Sequence, residues 1–410
     1  MPYRNFVQAN YRFLLFGFAM VFAGNYGQTF FISIFTAEWR QAFQLSHTEL
    51  SAYYSFATLA SGFLIMFVGG RIDTTELKTF SLWVLVGTTV ACVLLATAGS
   101  VVALVLGFFL IRFCGQGLSC HAAYTSMARY FDANRGKAIS IAALAMPVGE
   151  FVLPIAGAIA ITEIGWRWSW GLLAISIPLV FLPLVLWSLR DARIHSPQSQ
   201  TSSQDSESKQ QRQWQRSEVI RDIRFWIAIP AILAPPFLVT GLFFHQTHWA
   251  QEQGWALSSL ASSLMVYAVT HAISSFISGP IVDRLGVAKM LRLYLLPMTL
   301  SMAVLAASNE FTAWVLFMAL AGLSVGASGP VVGSLWPKIY GTEHLGSIRS
   351  LVTALMIFST AIAPILLGIF IDAHYPMASI MGLLLLYSIG TLLVCQWVYQ
   401  PVLKTNTSSI

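Results

Sequence analysis

The chain has 410 residues, 56% of them hydrophobic and only 10% charged. Soluble globular domains carry about 25% charged residues, so charge this sparse cannot cover a water-facing surface. The same balance excludes a disordered chain, and four cysteines over this length exclude a disulfide scaffold. A polytopic membrane protein remains.

Apolar stretches near the roughly 20 residues that cross a bilayer recur along the chain. The first six occupy 12–35, 49–70, 79–99, 101–127, 138–161 and 167–189. The leading stretch has no small-residue cleavage site and reads as a retained span. A polar insert follows at 190–222, and its SPQSQTSSQDSESKQQRQWQR core has the composition of a flexible linker. Six more stretches lie at 223–248, 257–281, 290–308, 311–336, 348–371 and 377–400. The expected fold is an all-α integral membrane protein with twelve transmembrane helices. They form two pseudo-repeated six-helix bundles, 1–189 and 223–410, joined by the 190–222 linker.

Basic residues orient this arrangement. With both termini and the insert on one side, every Lys and Arg except Arg40, Arg112 and Arg167 falls on that side, which makes it cytoplasmic. The net charge of +6 is therefore a topological signal and gives no ground for a nucleic-acid partner. The expected location is the cell (inner) membrane, multi-pass. Cys92, Cys114, Cys120 and Cys395 all fall in apolar runs and read as small packing residues.

The two halves echo each other at one constant offset. Gly69 and Asp73 recur as Gly279 and Asp283; Tyr130, Gly136 and Ser140 as Tyr340, Gly346 and Ser350; Pro154 as Pro364. Each pair holds an equivalent topological place, as in secondary transporters built from parallel repeats.

The loop after the eighth stretch reads Gly279-Pro-Ile-Val-Asp283-Arg284-Leu-Gly286-Val-Ala-Lys289. It resembles the G-x-x-x-D-R-x-G-x-[RK]-[RK] loop of the major facilitator superfamily. Its first-half copy, Gly69-Gly-Arg-Ile-Asp73-Thr-Thr-Glu76-Leu-Lys78, lacks the arginine after the aspartate and the following glycine. Arg112-Phe-Cys-Gly115-Gln-Gly117 and the Tyr130-to-Ala138 loop with Arg135 resemble further motifs of that superfamily. A fainter resemblance is to its bacterial oxalate/formate and monocarboxylate branch, whose acidic, tryptophan-containing signature in the first span is replaced here by Ala23-Gly-Asn25-Tyr26-Gly27-Gln28. The resemblance implies alternating access in a monomer. It also implies a cytoplasmic gate at Gly69, Asp73, Arg135, Gly279, Asp283, Arg284 and Gly286, where carboxylates pair with basic loop residues or helix N-termini.

A charge near the bilayer centre costs about 2.5–3.5 kcal/mol on insertion scales, so ionisable residues deep in spans are the sharpest functional signal. Three qualify: Arg112, Glu150 and His271. In the fold that the resemblance implies, all three fall on cavity-lining helices. Arg112 either faces an anionic substrate or pairs with Glu150. Glu150 is the leading proton carrier. His271 shares a helical stripe with Tyr267 and the serines beyond, and either carries a proton, contacts substrate or bonds between helices. Asn25, Tyr26, Gln28 and Tyr54 are further candidate substrate contacts, as are His121, nearer the cytoplasm, and His245 in the outer vestibule. His245, His248 and Glu252 have metal-ligand chemistry but too sparse a cluster, so no metal is expected.

Phosphate-loop, zinc-protease and nucleophile-elbow signatures are missing from the sequence. The reading is a non-enzymatic secondary transporter without cofactor. It takes up a small organic anion such as a carboxylate by proton symport, with a proton-driven exporter of a hydrophobic or drug-like compound as the alternative.

Overall fold

The computed structural model describes residues 3–131, 135–190, 213–341 and 344–404. Among them there is no strand, and helix accounts for nearly every residue. Eleven stretches are long and apolar enough to cross a membrane; one of them, Lys137–Ser188, runs for 52 residues. Gly165, at φ +78°, breaks that stretch into two helices, so the spans among the described residues number twelve. A left-handed backbone at that reversal favours glycine, which has no Cβ to clash.

In chain order, spans one to three are Tyr3–Gly24, His47–Val68 and Leu77–Thr97. Span four starts as Val101–Leu110, widens into a π-helix over Ile111–Ser119 and resumes as Cys120–Tyr130. Spans five and six lie on either side of Gly165. Spans seven and eight are Ile223–Phe244 and Leu257–Leu285. Span nine combines Val287–Leu293 with Leu296–Ala307; spans ten to twelve are Phe311–Tyr340, Leu345–Asp372 and Met377–Lys404.

Two expected helices are interrupted. The stretch expected at 12–35 is helical only to Gly24; Gln28 is extended and short turns carry the chain to Phe35. Polar Asn25 and Gln28 beside Gly24 and Gly27 weaken helical continuity there. The seventh stretch stops at Phe244, and a short helix, Gln246–Glu252, restarts after His245. Within the expected linker, Trp214 is docked on the second half. Its backbone N–H donates to the Tyr340 carbonyl at 3.0 Å, and its ring meets the Tyr340 ring edge-on. The Tyr340 hydroxyl in turn donates to Asp222, which caps span seven.

The halves meet along two seams, span two against span eleven and span five against span eight. At mid-length, His271 of span eight bonds Glu150 of span five at 2.8 Å. Among the described residues, further bonds between the halves lie toward the end opposite the termini. Ser55 donates to the Ala361 carbonyl, Thr36 shares a 2.7 Å bond with Thr247, and Gln246 donates to Ser33 at 2.6 Å. Asp372 accepts from the backbone N–H groups of His47 and Thr48 at 3.1 and 2.7 Å. A carboxylate from the second half thus caps the first turn of span two, beside that helix's own Ser46–Glu49 capping box. The conformation is one closed at the end opposite the termini.

Asp372→Ala removes that cross-half cap, at a cost of about 1 kcal/mol to the closed arrangement. The expected result is several-fold faster reaction of a cysteine placed at buried Leu50 with a water-soluble maleimide. An unchanged rate would show that the cap does not hold this end shut.

Candidate functional site

The break after span one sets the site's geometry. Gly27 packs so closely on the π-helical part of span four that a Cβ there would overlap the Ile111 carbonyl and the Gln116 amide. At this contact Arg112 donates one guanidinium N–H to the Gly27 carbonyl at 3.1 Å. Its guanidinium carbon lies 5.2 Å from the centre of the Tyr54 ring, a cation–π contact. Arg112 is 5% exposed, and its Nε has no hydrogen-bond partner. No carboxylate pairs with it among the described residues.

Glu150, the other half of the expected pairing, instead accepts from the His271 ring Nδ1–H at 2.8 Å across the junction of the halves. That pair can neutralise itself by moving a proton. Arg112 cannot, because its guanidinium stays protonated under all ordinary conditions.

Arg112 and Glu150 line one cavity of about 140 Å³ between the halves. Gln28, Thr29, Gln116 and Tyr267 supply its other polar walls, with Thr240 and Thr360; Phe30, Val239 and Phe243 supply apolar ones. Gln116 donates its amide to the Gln28 side-chain carbonyl at 3.0 Å. Thr29 shares a 2.8 Å hydrogen bond with the Tyr54 hydroxyl, which fixes the ring beside Arg112. The Tyr267 ring packs on Phe243 and His271.

The remaining candidates lie elsewhere. Asn25 is fully buried and donates to the Ala145 carbonyl, in a niche that a side chain at Gly149 would fill. Tyr26 bonds Ser176 at 3.0 Å among Phe31 and Phe181. His121 donates to the Gly69 carbonyl at 3.0 Å, toward the end that carries the termini. His245 donates to the Pro364 carbonyl at 2.8 Å at the opposite end. Of the expected gate, Arg284 is exposed, Gly279 has open space about it and Gly286, at φ +80°, ends span eight. The side chains of Asp73, Arg135 and Asp283 lie outside the described residues. The serines beyond His271 also leave the site, since Ser274 and Ser275 donate to carbonyls of span ten. Thr29 lies on the same polar face of the first apolar stretch as Gln28; Gln116 was not anticipated, although it stands four residues from Arg112 and so shares its helix face.

Two six-helix halves around a polar cavity at mid-length form the architecture of a membrane transporter. The family model of the Major Facilitator Superfamily matches residues 14–269 and 243–409, and the chain belongs to that superfamily. A solved structure of a bacterial homolog to the human lysosomal transporter Spinster, in an inward-facing and occupied conformation, is similar at a TM-score of 0.66. The match covers 100% of this chain and 98% of that one, at 16% identity; at that identity the likeness is one of fold. No curated protein sequence matches significantly.

Gly27→Ala forces backbone against backbone and is expected to cost about 1–3 kcal/mol, read as a lower Tm. An unchanged Tm would mean that the break in span one can move away from span four without loss.

Proposed function

We propose that the chain is a secondary active transporter that takes up a small organic anion, such as a carboxylate, together with protons. One observation carries this reading: a permanently charged guanidinium stands on the cavity wall with an unpartnered nitrogen and, among the described residues, no counter-ion. A buried charge without a partner is strongly destabilising. A substrate carboxylate supplies both the missing charge and the missing acceptors. The Gln28–Gln116 amide pair and Tyr267 then orient the rest of the substrate. A cavity of about 140 Å³ suits a compact molecule, and its polar lining does not favour export of a hydrophobic compound.

Glu150 and His271 form the proton site in this reading. Their bond joins the two halves directly, so adding a proton to the pair changes the contact on which rocking depends. An anion entering with a proton moves less net charge against the membrane potential, which is worth about 2.3 kcal/mol per charge at 100 mV. The bodies that rock are 1–189 and 223–410, linked by 190–222, in a monomer of the cell membrane with both termini cytoplasmic. Gly69, Asp73, Arg135, Gly279, Asp283, Arg284 and Gly286 form the gate at that face.

Two measurements test this. In a thermal-shift screen against carboxylates, sugars, amino acids and drugs, a carboxylate at a hundred times its Kd should stabilise the protein by about 2.7 kcal/mol. Arg112→Met should lose that response while its ligand-free Tm stays level or rises, because an uncompensated charge has gone. A carboxylate response that survives in Arg112→Met would sink the anion anchor. Separately, Glu150→Gln should abolish uptake driven by a pH gradient yet spare counterflow; intact pH-driven uptake would remove Glu150 from the proton site.

A further inference from the structure

The closed end holds a second group of titratable side chains, remote from the central cavity. His47 begins span two in the first half; His245 and His248 flank the break after span seven in the second. The His47 and His248 rings meet edge-on with centroids 4.3 Å apart, and His245 lies 5.5 Å from His47. These rings enclose a pocket of about 10 Å³ with Arg40 of the Thr36–Phe43 helix, room for about one water molecule. His47 and His245 are buried, and the His248 side chain is 17% exposed.

The charged groups that face these rings come from every neighbouring element. Arg40 contributes a cation with no ion pair among the described residues. Asp372, on span eleven, already accepts from the N–H groups of His47 and Thr48. Glu252 sits 3.3 Å from the His248 Nε2 but is 46% exposed, so water weakens its pull. Glu49, on span two, is bonded back to the Ser46 backbone. Two imidazoles from opposite halves therefore touch in a niche with room for little more than one water, beside a guanidinium.

We propose that His47 and His248 form a second proton-binding site, in which a proton on either ring opens the end of the carrier opposite the termini. In the closed state that proton sets a cation against the other ring and Arg40 with little water to screen them. In the open state each ring is hydrated and keeps its ordinary pKa of about 6.5. Burial holds the neighbouring His248 below its usual range in the closed state and brings His245 down to about 4. The proton thus binds the open state more tightly, and by linkage it must favour opening. The closed state keeps its full advantage above about pH 6.5 and loses it as pH falls below that value. His245 stays neutral because its burial outweighs the Pro364 carbonyl, which by accepting from the ring favours the charged form. This latch does not rest on the anion reading, because it needs no substrate.

The test uses the full chain in lipid nanodiscs, without substrate, with spin labels at the exposed positions Ala42→Cys and Ala373→Cys on opposite halves. Between pH 7.5 and 5 the long-distance population should grow relative to the short one, by at most about 30-fold per histidine and by at least about tenfold in total. The His47→Gln/His248→Gln pair should remove the response. His248→Arg, a fixed charge, should hold the long distance at both pH values. The pH response should persist in Glu150→Gln when read against that variant's own distance distribution at pH 7.5, which separates the latch from the central proton site, whose bond between the halves that substitution alters. A distance that does not change with pH in the native chain, a double variant that still responds, or a His248→Arg chain closed at pH 7.5 would each overturn the proposal.

Discussion

A guanidinium that cannot lose its proton, buried among helices with one backbone carbonyl and one aromatic face for company, is the constraint around which the centre of this transporter is arranged. The cost of such a charge depends on what surrounds it. Every local irregularity nearby supplies surroundings. The break after span one exposes the Gly27 carbonyl to Arg112. The π-helical turn of span four carries Arg112 and Gln116 on one face, and Thr29 fixes the Tyr54 ring beside it. Irregular backbone at this depth is tolerated where it is buried in protein or lines a cavity, and here it does both.

The central site and the closed end share a physical logic. In each, a histidine on one half meets a titratable group on the other: His271 with Glu150 at the centre, His47 with His248 at the closed end. Both contacts cross the junction of the halves and are largely shielded from water, and the proposed response to protons at each rests on those two features. Asp372 adds a fixed element, a carboxylate that caps the partner half's helix whatever the pH near neutrality. Glycines at the span eight–ten contact, Gly322 and Gly326, bring backbones so close that a Cβ would strike the carbonyls of Tyr267 and His271. Span eight and its histidine are thereby held as one body with span ten.

Much of the fold was legible because a bilayer imposes a length on every span and a charge rule on every loop. The twelve apolar stretches, the polar insert and the depth of Arg112, Glu150 and His271 all follow from linear pattern. The site was legible in part. Gln28, Arg112, Glu150 and Tyr267 do share a cavity, because each is a polar group that composition would not place in lipid. Asn25 and Tyr26 looked the same in sequence but are bonded to the Ala145 carbonyl and to Ser176. A polar side chain in a span seeks any partner within the bundle, and sequence does not say whether that partner is a substrate or a neighbouring helix.

Sequence by itself determined the membrane class, the two-half plan and the short inventory of intramembrane charges, since these depend only on composition and spacing along the chain. Tertiary structure alone decided who meets whom. It gave Glu150 to His271 and not to Arg112, put His47 against His248, and set Asp372 over the first turn of span two. Those pairings join residues between 120 and 330 positions apart, and their energies depend on distances of a few ångströms and on the water excluded around them. No periodicity in one dimension encodes that.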